Sequence, residues 1–305
     1  MKRKAILLLA FLFLFIIIDR GIGWSINKGL SKYYGLDLHS EILFIGHSQL
    51  MLAIDKKLIE DSLNCKVSKY CREGVDVVDR YQMIKQYLSS SYSDSLKVIV
   101  YGVDQFIFKN SGLSENSYMN FYPYIDELNI DSFIREKAST TDYWEHKLIC
   151  STRYSDALLN NSLRGWFCNW DNYKIGILDT ITLRKQIIEK QERTIEFDEG
   201  LIRVFERTLN YIKSKNIKII LVQTPIAKML NDYEPGLYQK IQNYFKEKAN
   251  SSPLIEYWDM NPNISDKYDL FFDPIHLNPK GQQLTTESFF HLYKDHDFSH
   301  RPSIQ

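Results

Sequence analysis

The chain has 305 residues, of which 44% are apolar and 25% are charged, so it can form one large core or two modest ones and is neither a disordered tail nor a fibrous repeat. Its 38 Lys and Arg balance 38 Asp and Glu, which argues against nucleic acid as the main partner because no basic excess is left to neutralise phosphates. Four cysteines lack the CxxC spacing of a zinc or redox site. They are either buried thiols or disulfides, with the pairs Cys65 with Cys71 and Cys150 with Cys168 expected in an oxidising compartment.

The first element is an apolar run behind a basic leader. Residues 2–4 are Lys-Arg-Lys, and residues 5–18 hold no polar side chain. As a helix this run rises about 21 Å, which is less than the roughly 30 Å core of a bilayer. No small-residue cleavage site follows it, however, and Arg20 and Trp24 are residue types that suit a membrane interface.

We therefore expect residues 1–24 to be an uncleaved signal anchor in the cytoplasmic (inner) membrane. By the positive-inside rule the basic end stays in the cytoplasm, so the domain of residues 25–305 would lie outside it. A cleaved signal peptide and a buried N-terminal helix are the two alternatives.

From residue 41 onward, short apolar strands alternate with amphipathic helices. Strands are predicted over residues 41–45, 65–70, 97–101, 217–222 and 254–259. Helices are predicted over residues 50–63, 75–88, 199–215, 237–248 and 281–293. Strands separated by helices indicate an α/β fold with a parallel sheet that helices cover on both faces.

Residues 105–196 break this alternation and are rich in Tyr, Asn, Ser and Trp. The stretch has helical pieces but no strong strand, and it is too long for a plain loop of a compact domain. We interpret it as an inserted subdomain that serves as a lid or substrate platform or has only a packing role. Its aromatic cluster either stacks on sugar rings or forms the insertion's own core; the residues are Tyr118, Phe121, Tyr122 and Tyr124.

One short motif at the end of the first predicted strand suits catalysis. That strand runs into Gly46-His47-Ser48, which places Ser48 at the carboxyl end of a parallel strand and just before a helix. Ligands bind at this edge of an open parallel sheet, and a helix N-terminus favours developing negative charge. Ser48 is therefore a candidate nucleophile, with a plain helix N-cap as the alternative.

A second motif, Asp-Pro-Ile-His at residues 273–276, precedes the last predicted helix. A carboxylate three residues before a histidine can turn back and hold the imidazole in one tautomer, as a Ser-His-Asp triad requires. Asp273 and His276 are thus candidate partners of Ser48. A turn role for Asp273 and a surface position for His276 are the alternatives.

Four segments resemble the blocks of the SGNH or GDSL hydrolases, in the order in which that family has them. ILFIGHSQLMLAID resembles the first block and contains its Gly-x-Ser, and Gly74 in YCREGVDVVDRY resembles the oxyanion glycine of the second. YGVDQF stands where the third block, Gly-x-Asn-Asp, belongs, and FFDPIHLNPKGQQL resembles the fifth, Asp-x-x-His. The resemblance covers about residues 40–104 and 197–293.

This resemblance implies a three-layer α/β/α fold with a flavodoxin-like parallel sheet, to which a mostly helical insertion is added. It also implies Ser48 as nucleophile, His276 as base and Asp273 as the residue that orients His276. The backbone N–H groups of Ser48 and Gly74 would form the oxyanion hole. Such a site works without a metal or another cofactor.

Two positions depart from the family's blocks. His47 stands where Gly-Asp-Ser has its Asp, and Asp104 stands nearest to the Asn of Gly-x-Asn-Asp. A carboxylate repels an oxyanion unless it is protonated, and loss of one oxyanion donor costs about 3 kcal/mol of transition-state stabilisation. These departures leave open a slow, specialised or inactive site.

Together with the anchor, the motifs are similar to those of membrane-anchored SGNH-like proteins that work beside membrane-bound O-acyltransferases. We predict an extracytoplasmic O-acyltransferase or carbohydrate esterase that acts through a Ser48 acyl-enzyme. Its substrate would be an acylated surface glycan or a lipid-linked carbohydrate, and a membrane-bound O-acyltransferase is the expected protein partner. The alternative is a non-catalytic SGNH-like scaffold or binding protein of a cell-surface polysaccharide modification system.

A metal site near the C-terminus is a weak hypothesis. Three histidines lie there, His291, His296 and His300. They do not share one face of a helix, and chain ends are often frayed. We predict no metal site.

Overall fold

The computed structural model describes residues 2–110 and 115–296. Its strands are β1 (Ile42–Gly46), β2 (Val67–Cys71), β3 (Val98–Val103), β4 (Lys218–Gln223), β5 (Ile255–Asp259), β6 (Phe271–Asp273) and β7 (His276–Leu277). Its α-helices are α1 (Lys2–Tyr34), α2 (Ser48–Ala53), α3 (Lys56–Leu63), α4 (Val77–Leu88), α5 (Leu128–Lys137), α6 (Thr140–Leu148), α7 (Asp156–Trp166), α8 (Thr180–Ile188), α9 (Glu199–Lys213), α10 (Lys228–Asn231), α11 (Pro235–Asn250) and α12 (Pro279–Asp295).

The chain divides into two compact units. The helical unit consists of Met1–Asp37 and Glu115–Asn169, and the sheet unit consists of Leu38–Ser114 and Trp170–Gln305. The predicted insertion of residues 105–196 therefore contributes to both units.

Five parallel strands form the main sheet of the sheet unit, in the order β2-β1-β3-β4-β5. The predicted α/β fold with a parallel sheet is confirmed. The chain leaves β1 for β2 on one side and then returns to β3 on the other side of β1. The gap between β1 and β3 is thus the switch point of the sheet, where ligands bind in open α/β folds.

β1 and β3 are buried on both faces, which explains why they are continuous apolar runs rather than alternating ones. Phe44 of β1 contacts Phe289 of α12, with ring centroids 5.3 Å apart. Tyr101 of β3 contacts Phe205 of α9, with ring centroids 5.5 Å apart. Helices therefore supply aromatic side chains to the core at both of these strands.

Polar caps set the helix boundaries that the apolar pattern missed. The single helix predicted over residues 50–63 is wrong: α2 ends at Ala53 and α3 starts at Lys56. Asp55 causes the break, because its side chain accepts the N–H of Leu58 as an N-cap. At α12, Asn278 caps the helix in the same way, and the helix begins with Pro279, two residues earlier than predicted.

The helical unit is built on α1 and the helices of residues 115–169. No strand occurs in its described residues. The aromatic cluster of Tyr118, Phe121, Tyr122 and Tyr124 is buried. Phe121 packs edge-on against Phe133, with centroids 5.3 Å apart. Of the two roles considered for this cluster, the structure therefore favours the core of the unit over sugar contact.

Helix α1 has two different halves. Among the described residues it is the one helix long and apolar enough to cross a membrane, and its side chains before Asp19 are exposed. From Asp19 onward it packs on its own unit, since the Asp19 carboxylate accepts the backbone N–H groups of Cys150 and Ser151 at 2.7 and 2.8 Å. Gly29 and Gly165 let α1 and α7 cross closely, because a Cβ on Gly165 would lie 1.9 Å from the Gly29 carbonyl oxygen.

The expected disulfides are wrong, since all four cysteines are free. Cys65 precedes β2 and Cys71 ends it, so an extended strand of about 3.3 Å per residue separates them. Burial raises the pKa of the Cys71 thiol to about 12. Such thiols are inert at neutral pH.

No metal-binding group of three His, Cys, Asp or Glu side chains occurs among the residues that the structure describes. His296 instead contacts the Trp258 ring, and its Nδ1 lies 2.7 Å from the Leu292 carbonyl oxygen. His300 lies outside the described residues.

Candidate active site

Ser48 is the first residue of α2 and is separated from β1 by His47 alone. Leu50 of α2 lies directly over two glycines of the sheet. A Cβ on Gly46 would come within 2.8 Å of the Leu50 Cβ, and one on Gly102 within 3.0 Å. Because these two residues have no side chain, α2 packs closely on the ends of β1 and β3, and this packing holds Ser48 at the carboxyl edge of the sheet.

Asp273 and His276 lie on a two-stranded antiparallel ribbon formed by β6 and β7. The Asp273 Oδ1 atom accepts the backbone N–H groups of Ile275 and His276 at 3.0 and 2.9 Å. These bonds fold the turn back on itself. As a result, the second carboxylate oxygen, Oδ2, lies 2.7 Å from the His276 Nδ1 atom.

The His276 ring connects this turn to Ser48. Its Nε2 atom lies 2.8 Å from the Ser48 Oγ, although the two residues are 228 positions apart in the chain. With Nδ1–H donating to Asp273, Nε2 carries the lone pair and accepts the Ser48 hydroxyl. This is the hydrogen-bond order of a Ser-His-Asp triad.

The charge on Asp273 is compatible with this arrangement. Burial acts to raise its pKa, but the hydrogen bond and the charge of His276, together with the two backbone N–H groups, hold the pKa below its ordinary value of 3.8. Asp273 is therefore ionised at neutral pH. It can stabilise an imidazolium that forms when His276 takes a proton.

Ser48, Gly74 and His276 line one pocket of about 220 Å³. Gly74 has a φ of 71°, in the left-handed region that favours glycine. Within the described part of the chain, the backbone N–H groups of Ser48 and Gly74 have no protein acceptor. Both are therefore free to donate to a ligand in this pocket.

Asp104 lines the same pocket, but its carboxylate is already engaged. It is 1% exposed, its Oδ1 accepts the Phe106 backbone N–H at 2.6 Å, and its Oδ2 lies 2.6 Å from His47 Nε2. Asp104 thus occupies the expected place in the sequence and the pocket without offering a donor to an oxyanion.

Arg80, Lys109 and Arg193 also line the pocket and were missed by the sequence analysis. Arg80 lies on the buried side of α4, 1% exposed, and donates from one guanidinium nitrogen to the Gly102 carbonyl oxygen at 2.8 Å. Lys109 pairs with Glu196. One signal in the sequence could have pointed to Arg80, because it is a charged residue on an otherwise apolar face of a helix. Lys109 and Arg193 carry no such signal.

A scan against protein-family models and a search of the curated proteins give no match to this chain. Two solved structures are similar to it with TM-scores of 0.37. One is described as a platelet activating factor from Streptococcus pneumonia, with 13% identity over 94% of this chain and 98% of that one. The other is a lipase from a goat rumen metagenome, with 11% identity over 82% of this chain and 95% of that one.

Proposed function

We propose that the protein is a membrane-anchored, extracytoplasmic SGNH-type O-acyltransferase or carbohydrate esterase. The observation that carries this proposal is the unbroken hydrogen-bond chain from Asp273 through His276 to Ser48, at the carboxyl edge of a parallel sheet. A helix cap or a surface histidine does not require a contact between residues so distant in the chain.

The proposed fold is the three-layer α/β/α arrangement of the SGNH family. The strand order 2-1-3-4-5 is that of flavodoxin-like sheets. Helix α12 contacts both α2 and α3, while α4 contacts α9. The proposed outer layers are these two groups, with the Phe44–Phe289 and Tyr101–Phe205 contacts joining them to the sheet.

In the first half of the proposed reaction, the Ser48 Oγ attacks the carbonyl carbon of an ester while its proton moves to His276 Nε2. The carbonyl oxygen becomes an oxyanion and accepts the free N–H groups of Ser48 and Gly74. The carbon–oxygen bond to the leaving alcohol then breaks, and the alcohol takes the proton from Nε2. The acyl group remains on Ser48.

In the second half, water or the hydroxyl group of an acceptor attacks the acyl-Ser48 carbonyl and gives its proton to His276 Nε2. That proton returns to the Ser48 Oγ when the acyl group leaves, which completes hydrolysis or transfer. A pocket of about 220 Å³ suits a short acyl group such as acetyl rather than a long acyl chain. The proposed substrate is an acylated surface glycan or lipid-linked carbohydrate, and the proposed partner is a membrane-bound O-acyltransferase; the motif resemblance supports both.

The proposed anchor is the exposed apolar half of α1. Its continuation beyond Asp19 supports an uncleaved anchor over a cleaved signal peptide, because the same helix runs unbroken to Tyr34 and packs on α7. Cleavage near residue 24 would remove the Asp19 carboxylate from the two N–H groups that it accepts.

The proposal is tested by labelling the full-length protein in detergent micelles with a fluorophosphonate probe and mapping the labelled peptide. We expect the label on Ser48, none at that position in Ser48→Ala, and a labelling rate lower by about 10³-fold or more in His276→Asn. Ser288→Ala is the matched control, since Ser288 is exposed on α12 and donates only to the Leu284 carbonyl oxygen.

An unlabelled wild-type protein, or equal labelling of wild type and His276→Asn, would overturn the enzymatic proposal. In that case the non-catalytic scaffold would be the better interpretation, and Ser48→Ala cells would keep normal surface acylation while deletion of the protein abolishes it.

A further inference from the structure

The two positions that depart from the SGNH blocks are in direct contact. His47 follows β1 and Asp104 follows β3, and these strands are neighbours in the sheet. The His47 Nε2 atom lies 2.6 Å from the Asp104 Oδ2 atom across 57 positions of sequence. The departures therefore form one structural feature and are not two separate losses.

Three groups stabilise the charged form of the Asp104 carboxylate: two through hydrogen bonds and one through its positive charge. Oδ2 faces the His47 ring, and Oδ1 accepts the Phe106 N–H. Arg80 is buried close enough for its charge to act on both Asp104 and His47. Burial acts to raise the pKa of Asp104, but His47, Arg80 and the Phe106 N–H lower it overall. The carboxylate is thus an ionised acceptor, and each of its oxygens already has a hydrogen-bond partner.

The tautomer of His47 follows from this contact. Because Nε2–H donates to the Asp104 carboxylate, the neutral ring carries its lone pair on Nδ1. Burial and the charge of Arg80 lower the pKa of His47, and its Nδ1 atom is buried with no hydrogen-bond partner among the residues that the structure describes. The side chain also makes no capping bond to α2, although His47 is the N-cap residue. His47 is therefore neither a helix cap nor an exposed second base.

The His47 ring joins two loops at the carboxyl edge of the sheet. His47 immediately precedes Ser48, and Asp104 begins the loop after β3. The hydrogen bond between them ties the β1–α2 turn to the start of the loop after the neighbouring strand.

We propose that Asp104 and His47 are one positioning pair of the proposed active site: Asp104 holds His47, and His47 holds the turn that presents Ser48. This inference rests on the proposed function. In this arrangement the backbone N–H groups of Ser48 and Gly74 bind the oxyanion, and no side chain from the third block takes part.

If the pair positions Ser48, the expected effect of Asp104→Asn on kcat is opposite in direction to the effect expected from the family's blocks. If Asp104 were only a degenerate oxyanion residue, Asp104→Asn would restore the missing donor and raise kcat by about 10²- to 10³-fold. With the positioning pair, the same change lowers kcat by about 10- to 100-fold. Asn keeps one acceptor oxygen for the Phe106 N–H, and its NH₂ group then faces His47 Nε2. The ring can accept that N–H only if its own proton moves to Nδ1, which is buried with no hydrogen-bond partner among the described residues.

The experiment uses the full-length protein in detergent micelles, with p-nitrophenyl acetate for kcat and KM and a fluorophosphonate probe for the Ser48 labelling rate. We expect Asp104→Asn and His47→Ala each to lower kcat and the labelling rate by about 10- to 100-fold, with KM changed by less than about twofold. His47→Gln should keep most of the activity, because the Gln side-chain N–H can still donate to Asp104. The double variant His47→Ala/Asp104→Asn should lose no more than the worse single variant.

Equal or faster turnover by Asp104→Asn, or equal losses in His47→Gln and His47→Ala, would overturn the pair while leaving a wild-type Ser48 label and the proposed function intact. A wild-type protein that takes no label would overturn both. If Asp104→Asn fails to fold, as judged by its thermal unfolding, the comparison of His47→Gln with His47→Ala decides the matter, since rescue by a donor is not expected of a ring that only fills space.

Discussion

At the scale of single residues, the Asp273 carboxylate sets both the turn and the ring on which Ser48 depends. One of its oxygens accepts two backbone N–H groups of the turn, and the other faces the His276 imidazole at 2.7 Å. The backbone bonds fix the carboxylate before any substrate arrives. The orientation of His276 is therefore part of the folded structure and does not have to be created on binding.

Asp273→Asn should lower kcat for an acetyl ester by about 10⁴-fold with little change in KM, because an amide beside Nδ1 favours the wrong imidazole tautomer. The pKa of Asp273 is held below 3.8 by His276 and the turn N–H groups against the opposing effect of burial. The wild-type carboxylate is therefore charged throughout the neutral range, so we expect a loss at every pH within it. Initial rates across that range measure it.

The control for this change is Asp269→Asn. Asp269 is half exposed, pairs with Lys280 at 2.8 Å and is not among the residues that line the pocket of Ser48 and His276. We expect normal kcat for this variant. An Asp273→Asn enzyme within about tenfold of wild type would show that Asp273 does not orient the base.

At the scale of elements, the fit of α2 onto the sheet decides where Ser48 lies. Leu50 rests over Gly46 and Gly102, so even one added methyl group has no room without a shift of the helix. Interiors pack at crystal-like density and transmit such strain to their neighbours. The Gly of Gly-x-Ser therefore serves helix packing here, and its backbone φ is not in the left-handed region.

Gly46→Ala should lower the free energy of unfolding by about 1–3 kcal/mol, which is the usual cost of overpacking. It should also lower kcat, because the new Cβ would push Leu50, and with it Ser48, away from His276. Urea unfolding and initial rates on one preparation measure the two effects.

Gly236→Ala is the matched change on α11, where nothing lies within 4 Å of the added Cβ. It should leave the rates unchanged and raise stability slightly, since Ala favours a helix over Gly by about 1 kcal/mol at most. If Gly46→Ala keeps both wild-type stability and wild-type rates, Leu50 is not held as closely as the structure indicates.

At the scale of the whole molecule, helix α1 contains both the apolar N-terminal segment and residues that pack within the helical unit. The side chains of α1 before Asp19 are exposed, whereas Leu30, Tyr33 and Tyr34 are buried in the helical unit. A helix apolar on every side has no stable place in water. From Asp19 onward the same helix is held in that unit by the Cys150 and Ser151 N–H groups that the Asp19 carboxylate accepts.

The protein isolated from membranes should therefore retain α1 in full. Intact-mass measurement after detergent extraction should account for all residues from the N-terminus onward, and a C-terminal tag should be digested by protease added outside the cell. A mature protein that begins after residue 24, or a tag protected from that protease, would contradict the anchor or its orientation.

Local sequence patterns determined the five strands of the main sheet and the identity of the candidate catalytic residues. A buried parallel strand is typically a continuous apolar run, which is the pattern of β1, β3 and most of β4. All five sheet strands lie within a few residues of their predicted ranges. Helix caps are harder to predict from sequence. Asp55 looks like any exposed carboxylate there, and its role as an N-cap depends on the backbone conformation at that point. The motif residues Ser48, Asp273 and His276 were visible because each type suits one step of acyl transfer.

Only the tertiary structure decided which of these residues meet. The burial of the Tyr118 cluster, the free state of the cysteines and the pairing of His47 with Asp104 all depend on contacts between distant segments. Helix and strand periods are properties of neighbouring residues, whereas a contact across 57 or 228 positions depends on how the strands are ordered in the sheet. The two motif departures appeared as separate defects in the sequence for this reason, and the adjacency of β1 and β3 turned them into one hydrogen-bonded pair.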